Sequence, residues 1–210
     1  MKDKDLDKLT KRPIQYWFED GLGELVVASL FLLLGLLFTI EGLATNPTVI
    51  RIAAIVAMIT MLGGAWIGRP LLRKMKERWT YPRTGYVAFR KPKRSRRGLN
   101  LVIILLICGL VVWLVTQVPE SKLALTPLIE GIAVGGFYIY QGYLSNINRF
   151  YILGTLALIL GTALALAGLG NLVGAGIFFI AFSVAMLISG GLALRAYLRF
   201  SQSPIEVSRE

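Results

Sequence analysis

Apolar positions in this chain run together in long blocks instead of alternating or marking one stripe. Residues 22–43, 49–67, 99–118, 123–144, 150–169 and 172–194 form six such stretches of 19 to 23 residues, none holding more than two charged side chains. An α-helix rises about 1.5 Å per residue, so about 20 residues cross a hydrocarbon core of roughly 30 Å. Six runs of that length, apolar on every side, predict an all-α polytopic integral membrane protein with six transmembrane helices. The chain then divides into a basic N-terminal segment (1–21), helices one and two (22–67), a basic loop (68–98), helices three to six (99–194) and a tail (195–210).

Polar residues at the block edges punctuate these helices. Asn46-Pro47 reads as an N-cap followed by proline at the first helical position of span two, and Asn148 as a cap for span five. Gly168-Leu169-Gly170-Asn171 offers a C-terminal glycine and the next N-cap within one tight turn, which makes spans five and six an antiparallel hairpin. Small residues indicate where backbones approach. Ala157, Gly161 and Ala165 recur every four positions in span five; Gly131 and Gly135 repeat the device in span four, and Gly174, Ser183 and Gly190 in span six. Such faces serve packing within one chain or between copies, so a homo-oligomer or another membrane partner stays open.

Between spans two and three the pattern changes. From Pro70 to Trp79 the apolar residues Leu71, Leu72, Met75 and Trp79 recur at helical spacing, with Arg73, Lys74, Lys76, Glu77 and Arg78 on the other face. That pattern predicts an interfacial amphipathic helix lying on the membrane. A turn at Tyr81-Pro82-Arg83-Thr84-Gly85 follows, then an extended stretch from Tyr86 to Phe89 and the polybasic run Lys91-Pro92-Lys93-Arg94-Ser95-Arg96-Arg97. Arg83, Arg90, Lys91, Lys93, Arg94, Arg96 and Arg97 are candidates for docking anionic lipid head groups or a protein partner.

Charge fixes the expected orientation. Of 23 Lys and Arg residues, all but Arg51 and Lys122 fall on one side when the connections are numbered alternately. Basic residues in short loops stay cytoplasmic, so both termini and the long loop are expected in the cytoplasm, with anionic lipids of the bilayer as the partner of the +11 net charge. No nucleic-acid-reading module fits the pattern, so nucleic acid is not an expected partner.

Composition removes most chemistry. The chain has no His and a single Cys, Cys108, inside span three. Zinc and haem sites built on His, nucleophiles activated by His and an intramolecular disulfide are excluded. No paired acidic motif or cofactor signature replaces them, and neither an enzyme, a metal site nor a cofactor is expected.

What remains are ionisable and polar groups within the spans, which are costly in lipid and mark function by default. Glu130 shares a helical face with Val134, Phe137 and Gln141, and with Glu24 of span one these outline a candidate intramembrane polar path of Glu130, Gln141 and Glu24. The alternative puts both glutamates in first turns, meeting the helix dipole after caps at Thr126 and Asp20. Glu41 and Arg51 flank the short outer turn and are expected to pair. A spacing echo relates Glu24 and Phe31 to Glu130 and Phe137, and Arg51 and Gly63 to Arg149 and Gly161, as an inverted repeat or as chance. A small transporter or channel follows from the polar path. An accessory subunit or membrane-anchored regulator acting through residues 69–98 is the alternative.

Asp20-Gly21-Leu22-Gly23-Glu24-Leu25 at the first span, followed after the second by Tyr81-Pro82-Arg83-Thr84-Gly85-Tyr86-Val87, resembles a group of uncharacterised prokaryotic multi-pass membrane proteins; Arg149-Phe150-Tyr151 is similar to the same group. The resemblance implies a prokaryotic cell membrane and carries no functional residue across.

Overall fold

The computed structural model describes residues 18–79 and 125–200. Among these residues every regular element is an α-helix: α1 (Leu22–Leu43), α2 (Pro47–Trp79), α3 (Thr126–Ser145), α4 (Asn148–Leu166) and α5 (Leu172–Phe200). Among the described residues four helices are long and apolar enough to cross a membrane, namely α1, the Pro47–Gly64 part of α2, α4 and α5. Span three of the sequence reading, with Cys108, lies outside the described residues. α3 has 20 residues, but Glu130, Gln141 and three tyrosines make it less apolar.

Glycine-to-glycine contacts hold two helix pairs of the bundle together. In α3 and α4, a Cβ on Gly135 or on Gly154 would lie 2.8 Å from the other's carbonyl oxygen, and one on Gly131 would lie 2.8 Å from the Ala157 oxygen. The flat faces expected on spans four and five therefore meet each other. α1 and α5 repeat the arrangement with Gly35 and Gly176, again 2.8 Å from each other's oxygens. In lipid no hydrophobic force drives helices together, so this close backbone approach supplies the dispersion contact that does. α2 lies along α1 through Ala53, Ala57 and Gly64, while Ile52, Ile55, Ile59, Leu62 and Trp66 face outward.

The interior is aromatic. Phe178, Phe182 and Met186 of α5 are fully buried, with Phe150 and Leu153 of α4 and Tyr138 of α3 around them. Phe178 and Phe182 stack at 6.0 Å, and Tyr138 meets Phe182 edge-on at 5.4 Å.

Local punctuation follows the sequence in most places. Asn46 accepts a bond from the Thr48 N–H at 2.9 Å ahead of Pro47. Gly168 takes φ 71°, the Leu169 N–H reaches back to the Leu164 oxygen at 3.1 Å, and Asn171 accepts from the Gly174 N–H at 3.1 Å. That is a Schellman ending joined to an N-cap. The turn is as tight as expected, yet α5 packs chiefly on α1 and α4 on α3, because the matching glycines lie there. Asn148 begins α4 and does not cap it; Ile147 occupies the cap position without a side-chain bond.

The helix expected over 70–79 is present, but not as a separate element. Residues 70–79 continue α2 as one 33-residue helix with Pro70 inside it. Proline ordinarily ends or kinks a helix, but here the segment is held along the start of α1: Gly23 approaches Leu72, and Lys76 pairs with Asp20. At about 1.5 Å per residue α2 runs to about 50 Å, longer than a hydrocarbon core, so its last turns project past the start of α1. Glu41 and Arg51 do not pair with each other: the ion pairs among the described residues are Arg73–Glu77, Lys76–Asp20 and Arg149–Glu24.

Candidate functional site

The end of the bundle where α1 and α4 begin, and where α3 and α5 finish, gathers the buried charge. Its keystone is Gly21, which takes φ 69° just before α1 and packs so closely on α5 that a Cβ would lie 2.5 Å from the Gly190 oxygen. Only glycine satisfies both demands without strain. The turn lets the Asp20 carboxylate accept the Leu22 N–H at 3.2 Å, capping α1 from one residue further out than a standard N-cap. The other Asp20 oxygen lies 2.7 Å from the Lys76 ammonium, with both side chains under 5% exposed (3% and 4%). Burial pulls the Lys76 amine below its ordinary range, and the bond and charge of Asp20 work against that shift.

One turn on, Glu24 is buried between three helices. Its Oε1 accepts from the Arg149 Nε at 2.6 Å and its Oε2 from the Ser189 hydroxyl at 2.8 Å. Arg149 also donates to the Phe18 carbonyl and, at 3.4 Å, to that of Glu19, and its guanidinium lies 5.5 Å from the Phe150 ring centre. A charge this deep persists only when paired and hydrogen-bonded. Glu24 meets that condition with groups from α4 and α5.

Beside the pair lies a cavity of about 150 Å³. Phe18, Gly23, Glu24 and Val27 line it from the α1 side, Phe137, Tyr138 and Gln141 from α3, and Phe150 from α4. The Tyr138 hydroxyl donates to the Met186 thioether at 3.2 Å, a weak acceptor. Glu24 and Gln141, two of the three residues of the expected polar path, thus meet at one cavity.

Glu130 does not join them. It sits 11 residues before Gln141 on α3, about 16 Å along the helix axis. Because α3 begins at Thr126 with Leu125 in the cap position, Glu130 also falls beyond the first turn, where neither dipole nor cap donors reach it. Its Oε2 is buried without a hydrogen-bond partner among the described residues. The basic candidates Arg83, Arg90, Lys91, Lys93, Arg94, Arg96 and Arg97 lie outside the described residues. No group of three or more potential metal-ligating side chains occurs among those described.

Arg149 and Ser189 were not singled out from sequence as site residues. The signal for Arg149 was present: it is the one basic residue in the short connection before span five. Ser189 carried none, being one small residue among many in an apolar helix. No protein-family model, curated protein or solved structure matches this chain.

Proposed function

We propose that this chain is a six-span protein of a prokaryotic cell membrane, with both termini cytoplasmic, that acts as a small transporter-like or channel-like protein through the cavity beside Glu24. The observation that carries the reading is a carboxylate 4% exposed, anchored by Arg149 and Ser189, on the wall of a cavity shared by α1, α3 and α4. Glu24 lies in the first turn of α1, yet its carboxylate is buried and bonded from α4 and α5; a buried charge is expensive and persists only when so satisfied. The alternating basic residues support the orientation, and the resemblance at residues 20–25 and 81–87 supports the prokaryotic membrane.

Transport requires the cavity to open to each side in turn. With Cys108→Ser as background, Val27→Cys should react with a membrane-impermeant maleimide in both right-side-out and inside-out vesicles. Labelling from one side at most sinks the transport reading. One observation favours an accessory subunit or regulator instead: Phe178, Phe182 and Met186 fill the interior and are fully buried. One-sided labelling is the result that reading expects.

A further inference from the structure

The chemistry of the cavity wall is selective. Four aromatic rings, Phe18, Phe137, Tyr138 and Phe150, line it together with Glu24 and Gln141; the wall is almost wholly apolar, and among the described residues no Lys or Arg lines it. We propose that this cavity binds a small organic cation of the quaternary ammonium class, its charge held among the rings and against Glu24; this rests on reading the cavity as the ligand site of the proposed function.

Aromatic faces carry negative quadrupole potential and attract a cation within about 6 Å of the ring centre, most strongly when it is desolvated. The rings here do not stack on one another in parallel: Phe18 meets Phe150 at 83° and Phe137 meets Tyr138 at 88°. Phe150 already carries the Arg149 guanidinium 5.5 Å from its ring centre, and Tyr138 also meets Phe150 and Phe182, so Phe18 and Phe137 are the rings with most surface left for a ligand. Glu24 supplies the charge. Its two oxygens accept one bond each from Arg149 and Ser189, and a carboxylate has about four acceptor sites in all.

Arg149 is the natural competitor for Glu24, and its other contacts decide the exchange. If a ligand draws the carboxylate away, the guanidinium keeps the Phe18 and Glu19 carbonyls, so it is not stranded. An anion is less suited, because among the described residues the lining includes Glu24 and not Arg149. Size agrees: a dry cavity of this volume elsewhere accommodates benzene, and a choline-sized cation has about seven non-hydrogen atoms against the six of benzene.

Choline and its uncharged isostere 3,3-dimethylbutan-1-ol separate charge from shape. Titrated calorimetrically into the purified full-length protein in detergent, choline should bind saturably and the alcohol about tenfold or more weakly. Phe137→Leu keeps apolar bulk at a half-exposed position but removes the quadrupole, so choline affinity should drop about three- to tenfold with the alcohol unchanged. Glu24→Gln should weaken choline further. Equal affinity for the two probes, or choline binding indifferent to Phe137→Leu, overturns the cation site. No choline binding together with two-sided Val27→Cys labelling overturns the ligand class and leaves transport standing; choline binding with one-sided labelling does the reverse.

Discussion

The two ends of the bundle place a glutamate at comparable distances from a helix start and treat it in opposite ways. Glu24, at the third position of α1, receives donors from α4 and α5 and sits beside a second buried pair, Asp20–Lys76. Glu130, at the fifth position of α3, keeps a buried oxygen with no partner among the described residues. Burial alone is therefore not what makes a carboxylate useful. Donors arriving from other elements turn a buried charge into a fixed, oriented one.

The largest effect should come from breaking the satisfied pair. Arg149→Met leaves Glu24 buried with only Ser189, and unfolding in detergent should show a loss of about 3–5 kcal/mol. Adding Glu24→Gln should recover most of it, since the stranded charge is then gone. Equal losses in the single and double variants would mean that Arg149 acts through its carbonyl contacts and not through Glu24.

Next is the turn that sets up this end. Gly21→Ala meets both the left-handed backbone and the Gly190 oxygen, and should cost about 2–4 kcal/mol. Gly136→Ala is the control, because a Cβ there meets nothing within 4 Å; stability should hold or rise slightly, alanine being the better helix former.

A smaller, pH-dependent effect belongs to Lys76. Its amine is held below the ordinary lysine range of about 10.4 in the folded protein. Between the lowered value and that range the unfolded chain keeps a proton that the folded chain has released, so the contribution of this group to stability rises with pH, by at most about 1.4 kcal/mol per unit. Below that window both states are protonated and the slope vanishes. Against an Asp20→Asn, Lys76→Met double variant, the wild type should show this extra alkaline rise; superimposable profiles would place the Lys76 shift in error.

Smallest of all should be Glu130→Gln. With no donor to lose among the described residues, the change should move stability by less than about 1 kcal/mol and leave two-sided labelling of Val27→Cys intact. A loss as large as that of Arg149→Met would show that Glu130 is engaged after all, and the contrast between the ends would close.

Among the described residues, the positions of α1, α3 and α4 and the starts of α2 and α5, the glycine faces of α3 and α4, the Asn46 cap and the Gly168–Asn171 turn are legible in the linear chain because each depends on neighbours within a few residues: length, small-residue spacing, local donors. Glu24 and Gln141 were visible as polar intruders in apolar runs. Reading Lys76 as a surface residue of an interfacial helix failed for the same reason the other readings succeeded. Its helical period was correct, but the face it presents meets Asp20, 56 positions earlier, and not water.

Composition and periodicity alone decided that this is a helical chain with several membrane-length helices, without histidine chemistry, since those follow from counts and repeats. Which helices touch, and hence which charges are satisfied, was decided only in three dimensions. Helices α1 and α5 pack through Gly35 and Gly176, bringing Ser189 to Glu24, and α4 delivers Arg149 across 125 positions of sequence. Nothing local specifies such a pairing. It arises because backbone contact between glycines, where no side chains hold the helices apart, sets the helix neighbours, and the ends of those helices then determine which charged groups meet.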